Sequence, residues 1–354
     1  MIELQYSLQA RLVILFLVLI LADCSPVRRN NSAGILGSQD KLLIITADDY
    51  GAAQNINEGI QLAADYGAIT SISVLSNFSE SLSSLKQISE SHPETSIGVH
   101  LNITTGKPLL GTDQIPTLVD DSGNFYPLEQ LLPRMASISK LELKKELGEQ
   151  IAIFERYNIR LDFLSDQHGI LSVYSPFYKI ETELAKENEI PVRSPVLACK
   201  KYPFIFRNSD MRRQGSLLVF PLMLSNPVLV TQMFSYTRLF AMERKAGLLK
   251  EAGIEYPDLL VETFWGDPTL SNLAYILDHL PPGISEVIVH VGTSTRTGCY
   301  PAGLDRYYFD NRERELTVIM DDTIQQMIRY HHIRKISYPL KVRKPHSHLP
   351  AGNT

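Results

Sequence analysis

The chain has 354 residues, of which 44% are hydrophobic and 21% are charged, with 20 Gly and 20 Pro. This balance excludes a disordered, collagen-like or coiled-coil chain, and the length suffices for one large domain or two ordinary ones. The formal net charge of −5 leaves no broad basic field for nucleic acid, and three Cys residues cannot form a disulfide framework.

The first 24 residues have the pattern of an export signal. The run from Leu12 to Ala22 is entirely apolar; it is too short to span a bilayer comfortably as a helix but suits a signal-peptide core. Cys24 follows, as in a bacterial lipobox, although Asp23 stands where such motifs have Gly, Ala or Ser. We therefore expect an exported protein of the cell envelope, with Cys24 either lipid-anchored or incidental to an ordinary signal or uncleaved anchor. Residues 25–40 suit a polar tether.

The rest of the chain alternates between strand and helix patterns. Near-continuous apolar runs predict strands over 41–47, 69–75, 96–102, 161–165 and 286–290. Apolar residues at helical spacing predict helices over 55–66, 143–154 and 180–184, and one closing helix over 316–328. Repeated strand-then-helix units imply a parallel sheet, either doubly wound or closed as a barrel.

Residues 203–250 fit this alternation poorly because they are rich in large apolar side chains. We interpret them as an extra helical layer, with a lid or a partner surface as the alternatives. Residues 343–354 read as a tail. Cys199 and Cys299 are expected to be buried thiols without a chemical role.

Polar side chains concentrate at the carboxyl ends of the predicted strands, the edge where parallel α/β folds build their sites. Asp48 and Asp49 follow the first strand. One carboxylate could bind a metal ion while the other reaches a water held on it; alternatively, Asp49 caps the next helix in an Asx turn. His100 closes the third strand, where a lone His is more often structural.

Asp166 and His168 follow the fourth predicted strand and are two residues apart, so they share a face of an extended chain. A converging carboxylate and imidazole suit a divalent metal ion such as zinc. Three such clusters on three strand ends predict a metal site more strongly than any one of them.

Ordered blocks of the chain resemble the YdjC/ChbG-like carbohydrate deacetylases. The matching blocks are Asp48-Asp49-Tyr50-Gly51, Asn57-Glu58-Gly59-Ile60, Gly67–Ser71, Gly98–Thr104, Gly106–Leu109, Ile190–Arg193, Pro282–Glu286, His290–Gly292 and Arg312–Leu316. The resemblance implies a single-domain, distorted (β/α) TIM-like barrel with one divalent metal ion, Mg or Zn. It further implies hydrolysis of the N-acetyl group of amino sugars such as chito-oligosaccharides, and often a homodimer.

The resemblance also implies roles for individual residues. Carried over by position, Asp48 is the general base, Asp49 the first metal ligand and His100 the second. His290 is a general acid or an oxyanion partner.

The third ligand is open because Asp166 stands where the family usually has a His. Either Asp166 ligates in its place, or His168 reaches in from two residues along the chain. A second departure, Val291 where the family often has Pro, concerns only the backbone.

Arg193 and Trp265 are the candidates on the substrate side of the site. Arg193 either orients the carboxylate pair or forms a structural ion pair. Trp265, the only Trp, either stacks on a sugar face or packs in the core.

Two other functions are compatible with the same candidate site residues. One is a catalytically degenerate, surface-tethered sugar-binding lipoprotein; the other is a different metal-dependent amidohydrolase or esterase. In each case we expect a sugar or small-molecule partner, no nucleic acid, and membrane contact only through the N-terminal anchor.

Overall fold

The computed structural model describes residues 40–78, 82–206, 223–224, 226–236, 238–265, 267–294 and 306–340. The predicted export segment, Cys299 and the tail lie outside the described residues. No helix in the described ranges is long and apolar enough to cross a membrane.

Strands and helices alternate along the described chain. The strands are β1 (Lys41–Tyr50), β2 (Ser71–Val74), β3 (Ser96–Leu101), β4 (Phe163–Asp166), β5 (Leu259–Val261), β6 (Gly283–Val289) and β7 (Ile333–Lys335). The helices are α1 (Gln54–Asp65), α2 (Leu82–Ser91), α3 (Leu128–Leu131), α4 (Lys140–Arg156), α5 (Ser175–Glu187), α6 (Ala198–Lys201), α7 (Pro227–Tyr236), α8 (Leu239–Glu251), α9 (Leu270–His279), α10 (Arg306–Ile319) and α11 (Asp322–Tyr330). Short 3₁₀ helices cover Leu132–Ser137 and Gln167–Gly169.

The described strands pair in parallel in one sheet, in the order β4-β3-β2-β1-β6-β5, and β7 pairs with the start of β1. Strand β1 is central, and Thr46 lies between Ser71 of β2 and Ile288 of β6. Its near-continuous apolar sequence is that of a strand covered on both faces, as predicted.

An extended segment between β4 and β5 contacts both edges of this sheet. The Leu164 N–H of β4 donates to the Pro191 carbonyl at 2.8 Å, and the Arg193 N–H donates back to the Leu164 carbonyl at 2.8 Å. Further along, the Leu260 N–H of β5 donates to the Val196 carbonyl at 2.8 Å. The parallel sheet is therefore curled, which is consistent with the expected distorted barrel.

The two faces of β1 have different environments because successive side chains of a strand point to opposite sides. One face joins the large core beneath the helices through Leu43, Ile45 and Ala47. On the inner face, Ile44 packs with Phe163 and Tyr338, whose rings stack at 4.4 Å. Thr46 and Asp48 continue this inner face and make it polar toward the carboxyl end of the strand.

One feature of the predicted element order changes. The closing helix expected over 316–328 is two helices, α10 and α11, so the single-helix prediction is wrong. The break follows from Asp321, whose carboxylate accepts the Thr323 N–H at 2.7 Å and so starts a new helix. Within 203–250, the described residues 227–236 and 239–251 are helical; a lid or partner role there stays a prediction.

Candidate active site at the carboxyl edge of the sheet

Asp48 and Asp49 are buried near the end of β1 rather than in the turn after it. The register of β1 against β2 shifts between Ala47 and Tyr50, and Asp49 has a left-handed φ of 71°. This irregularity breaks the normal alternation, so both carboxylates reach the same edge of the sheet. The alternative of Asp49 as a helix cap is wrong, because Ala53 occupies the N-cap position of α1.

Arg193 holds Asp48 on the inner face of the sheet. Its Nη1 and Nη2 donate to the two Asp48 carboxylate oxygens at 2.8 and 2.7 Å, and its Nε donates to Glu286 at 3.1 Å. Thr46 and Tyr338 also donate to Glu286, at 2.7 and 2.9 Å. Arg193 is 7% exposed. These contacts are compatible with both interpretations of Arg193, orientation of the carboxylate pair and a structural ion pair, and direct contact with a substrate stays a prediction.

This ion pair keeps Asp48 ionised. Burial acts to raise the pKa of Asp48, but the charges of Arg193 and His100 more than offset it, and the net pKa lies below its usual range. A bidentate, charge-assisted pair also fixes the orientation of the carboxylate.

Asp49 is paired with a different arginine. Arg312 of α10 donates through Nη2 to Asp49 Oδ2 in a buried pair. Burial again opposes ionisation, and Arg312, His290 and His100 outweigh it, so the pKa of Asp49 lies well below its ordinary value. Both adjacent carboxylates are thus ionised, each paired with its own arginine.

His100 lies between the two carboxylates. Its Nε2 is 3.9 Å from Asp48 Oδ2 and 3.8 Å from Asp49 Oδ1. Its Nδ1 is 2.8 Å from the Ser165 hydroxyl, which contacts Ser73 in turn. The neighbouring strand thus orients the ring so that Nε2 faces the acids.

The Asp166 carboxylate forms hydrogen bonds within its own loop. Its Oδ2 accepts the Leu171 and Ser172 N–H groups at 2.8 and 2.9 Å, and its Oδ1 accepts the Ser172 hydroxyl at 3.1 Å. These bonds close the turn that follows β4. The Asp166 carboxylate thus accepts hydrogen bonds from its own loop, and the choice between Asp166 and His168 as third ligand stays a prediction.

His168 lies in that turn with a left-handed φ of 57°. Its Nδ1 is 3.1 Å from the Thr104 hydroxyl, and its Nε2 is 3.4 Å from the Gln167 amide nitrogen. His168 is an exposed residue, but desolvation of its ring lowers its pKa below the ordinary value, against the opposing charge of Asp49. The imidazole is therefore neutral at pH 7, the form in which histidine binds metals.

His290 directly follows β6 and faces the same edge. Its backbone N–H donates to Glu315 at 2.6 Å, and its Nδ1 is buried with no hydrogen-bond partner among the described residues. Burial lowers the pKa of His290 to about 4, although Asp49 acts in the opposite direction. A neutral imidazole at pH 7 favours the oxyanion-partner interpretation of His290 over the general-acid one.

Trp265 lies beside His290 at one side of this site. It is partly buried, and its ring meets the His290 ring edge to face at a centroid distance of 6.3 Å. This position is compatible with either interpretation of Trp265 derived from the sequence.

Three buried ionisable residues of the site, Arg312, Glu315 and Glu286, have no role in the sequence interpretation. Arg312 and Glu315 belong to a matching block, and their i, i+3 spacing on one helix face signals a shared surface. Glu286 stands inside an apolar strand, where a charged residue signals a buried partner. Their partners, Asp49, His290 and Arg193, are distant in sequence, so no local pattern reveals the pairs.

A divalent metal ion requires several side-chain donor atoms that converge on one point. Within the described part of the chain, no three His, Cys, Asp or Glu side chains are already arranged to hold a metal ion. Asp49 Oδ1 and His100 Nε2 do face each other, and both His100 and His168 have Nδ1 within hydrogen-bond distance of a hydroxyl, which helps to orient each ring. His168 Nε2 lies beside the Gln167 amide instead, so two of the three expected donors face each other in this structure.

Known proteins share the sequence pattern and the fold of this chain. A family model described as YdjC-like protein matches residues 42–330. A crystal structure of an Enterococcus faecalis V583 protein, named for cellobiose-phosphate cleavage, superposes with a TM-score of 0.66 at 21% identity. That match covers 84% of this chain and 98% of the other, and it shows a shared fold.

Curated relatives carry deacetylase names. A carbohydrate deacetylase of Halalkalibacterium halodurans is 31% identical over 153 residues, which is 43% of this chain and 63% of the relative, less than two thirds of its length. A carbohydrate deacetylase of Thermoanaerobacter pseudethanolicus is 23% identical over 308 residues, 85% of this chain and 99% of the relative. A chitooligosaccharide deacetylase of Yersinia pestis is 29% identical over 157 residues, 44% and 59% of the two chains. With residues 42–330 matched by the family model, the chain belongs to the YdjC-like protein family.

Proposed function

We propose that the chain is a metal-dependent carbohydrate deacetylase that removes the acetyl group from N-acetylated amino sugars. The observation that carries this proposal is the pair of ionised carboxylates, Asp48 and Asp49, each held by its own arginine with His100 between them. The names of the relatives support the substrate class. A degenerate site is not favoured, because His168, in the same turn as Asp166, offers an imidazole in place of the family's His.

Asp49, His100 and His168 are the residues that would hold the divalent ion. When bound, such an ion polarises the acetyl carbonyl and lowers the pKa of a coordinated water. The hydroxyls of Ser165 and Thr104 near the two Nδ1 atoms leave each Nε2 as the ligating nitrogen.

The proton transfers fall to Asp48. As water attacks the acetyl carbon, ionised Asp48 accepts one water proton, and Arg193 keeps the carboxylate aimed. The proton then passes to the sugar nitrogen as the C–N bond breaks, and the products are acetate and the free amine. His290, neutral at pH 7, donates an N–H hydrogen bond to the carbonyl oxygen as it gains negative charge.

Acetate release from N-acetylated chito-oligosaccharides, with chelator and with added Zn²⁺ or Mg²⁺, tests the proposal. We expect release by the metal-supplemented protein and its loss on chelation. An Asp49→Ala variant should lose at least about a hundredfold in rate, as removal of a group that acts in the transition state does. An Asp278→Ala variant, altered at an exposed acid of α9, is the matched control.

Full activity of Asp49→Ala would contradict the metal assignment. Sugar binding without any acetate release would replace the deacetylase proposal with the sugar-binding alternative, and release from esters alone would replace it with the esterase alternative.

A further inference from the structure

Lys245 is a buried lysine in the part of the chain that fits the strand-and-helix alternation poorly. It belongs to α8 and is 5% exposed, whereas Arg244 and Lys250 of the same helix are exposed. A buried ammonium is costly unless a partner compensates it, so a lysine in such a position indicates a specific contact. None of the roles above uses Lys245.

The ammonium of Lys245 contacts two neighbouring elements. Its Nζ donates to the Ser172 carbonyl, in the segment between β4 and α5. It also lies 5.2 Å from the centre of the Tyr178 ring of α5, within the range of a cation–π contact. Burial lowers the pKa of Lys245 to about 8, against the opposing charges of Asp166 and Glu181, so the group keeps its proton at pH 7. A charged donor therefore joins α8 to the segment after β4.

Two residues hold Ser172 in place. Its N–H and its hydroxyl donate to the Asp166 carboxylate at 2.9 and 3.1 Å, while its carbonyl accepts from Lys245. Each polar group of Ser172 thus has a partner, and the two partners belong to different elements, β4 and α8. The position of Ser172 is therefore fixed jointly by an acid of the sheet and a cation of the helical layer.

The turn that ends at Ser172 carries both candidates for the third metal ligand. Asp166 begins this turn, and His168 lies within it with a left-handed φ of 57°. A residue other than glycine keeps such a conformation only where the surrounding contacts determine it. Because Ser172 is four residues after His168, fixing Ser172 restricts the path of the backbone through His168.

We infer that Lys245 is a positioning residue for this turn, so that α8 is part of the support of the active site; this inference rests on the proposed function. Lys245 acts through Ser172 and not by direct contact with the reacting atoms. The role is the same whether Asp166 or His168 is the third ligand, because both belong to the turn. It also gives one part of the segment 203–250 a function as a helical layer.

Hydrogen exchange of the chelator-treated full chain tests this contact without turnover. Lys245→Met keeps an unbranched apolar side chain and removes the ammonium. We expect the Leu171 and Ser172 amides to exchange at least about tenfold faster in this variant, because the turn opens locally, while the amides of β1 keep wild-type rates. Arg244→Met is the matched control, since Arg244 is the exposed cation next to Lys245 on the same helix and should leave these rates unchanged.

The kinetics of acetate release connect the turn with the reaction. The turn carries a candidate metal ligand and no residue assigned to the sugar, so Lys245→Met should lower kcat about tenfold or more and leave KM within about twofold. Lys245→Arg retains a cation with N–H donors and should recover most of kcat. A merely structural role would lower the melting temperature and leave kcat unchanged at temperatures well below it.

A double-mutant cycle tests whether Lys245 acts through Ser172. Asp166→Ala removes the acceptor of the Leu171 and Ser172 N–H groups, so adding Lys245→Met should accelerate the exchange of these amides no further. Acceleration in the double variant equal to the product of the two single effects would show that the residues act independently, and it would overturn the inference.

The remaining outcomes separate this inference from the proposed function. Wild-type exchange at Leu171 and Ser172 in Lys245→Met, or wild-type kcat, would overturn the positioning role. Should Lys245→Met not fold, Lys245→Gln, which removes the charge and is one bond shorter, decides by the same two measurements. Absence of acetate release by wild type would overturn the proposed function, whereas faster exchange confined to the turn would still show that α8 holds it.

Discussion

Adjacent acidic residues repel each other unless a cation relieves them, and Asp48 and Asp49 are each relieved by a different arginine. A single irregular residue, Asp49 with its left-handed φ, makes both arrangements possible. Asx residues tolerate this conformation better than most, which explains why an Asp can occupy it. Its neighbour Asp48 keeps the regular inward direction of the strand.

The choice between Asp166 and His168 is testable through metal-induced stabilisation. Because Asp166 accepts three hydrogen bonds within its loop, Asp166→Asn should lower the melting temperature of the metal-free protein but keep its rise on adding Zn²⁺. His168→Ala should keep the metal-free melting temperature and lose most of that rise. The reverse pattern in differential scanning fluorimetry would assign the ligand to Asp166.

Glu315 makes stability depend on pH. Burial raises the pKa of Glu315 from 4.5 to about 8. Below pH 4.5 the carboxyl is protonated in both states; between pH 4.5 and 8 only the folded state keeps the proton, so the free energy of unfolding falls as pH rises. In chelator-treated protein, we expect wild type to lose several degrees of melting temperature more than Glu315→Gln between pH 5 and 8. Parallel pH curves for the two proteins would contradict the raised pKa.

At the scale of elements, α1 packs directly on the segment after β6. A Cβ atom on Gly59 would lie 2.5 Å from the Gly292 Cα, and the Thr293 N–H donates to the Asn55 carbonyl at 2.9 Å. This close approach of two backbones fixes the position of the segment that carries His290. Helix α1 and the segment after β6 are distant in sequence, and their contact determines the position of His290.

Gly59→Ala should therefore separate α1 from that segment. We expect a loss of about 1–3 kcal/mol in the free energy of unfolding, the usual cost of overpacking, together with lower activity because His290 moves. Gly247→Ala is the control, since nothing lies within 4 Å of a Cβ there and Ala should stabilise α8 by about 0.5–1 kcal/mol. Equal denaturant midpoints for the two variants would show that the contact at Gly59 is unimportant.

For the whole molecule, the described residues after position 39 belong to one unit, and the anchoring of that unit is a proposal that rests on Cys24. If Cys24 is lipidated, the full chain expressed in bacteria should stay with the membrane fraction after a high-salt wash. Cys24→Ser should be released as exported protein, whereas Cys199→Ser should behave as wild type. Membrane retention of Cys24→Ser would instead indicate an uncleaved anchor.

Much of the architecture could be predicted from local pattern. The central strand, its parallel neighbours and the helix after Gly51 follow from apolar periodicity, which short-range forces impose. Strands β5 and β7, three residues each, were not predicted, because so short a run has no visible period. The prediction of a single closing helix was wrong. Asp321 caps the start of a new helix, although the apolar residues on both sides of it are spaced as in one helix.

The sequence alone determined the parallel α/β class, the polar strand ends and the acidic pair. The resemblance carried by its motifs named the family and gave Asp48 and Asp49 their expected roles. All of these depend on residue type and spacing along the chain. Only the tertiary structure decided which arginine pairs with Asp48 and which with Asp49, that Asp166 serves its loop, and that Glu286 and Glu315 support the site. The physical reason is that these contacts join residues distant in the chain, and their energies depend on burial. Only the folded sheet creates that burial and proximity.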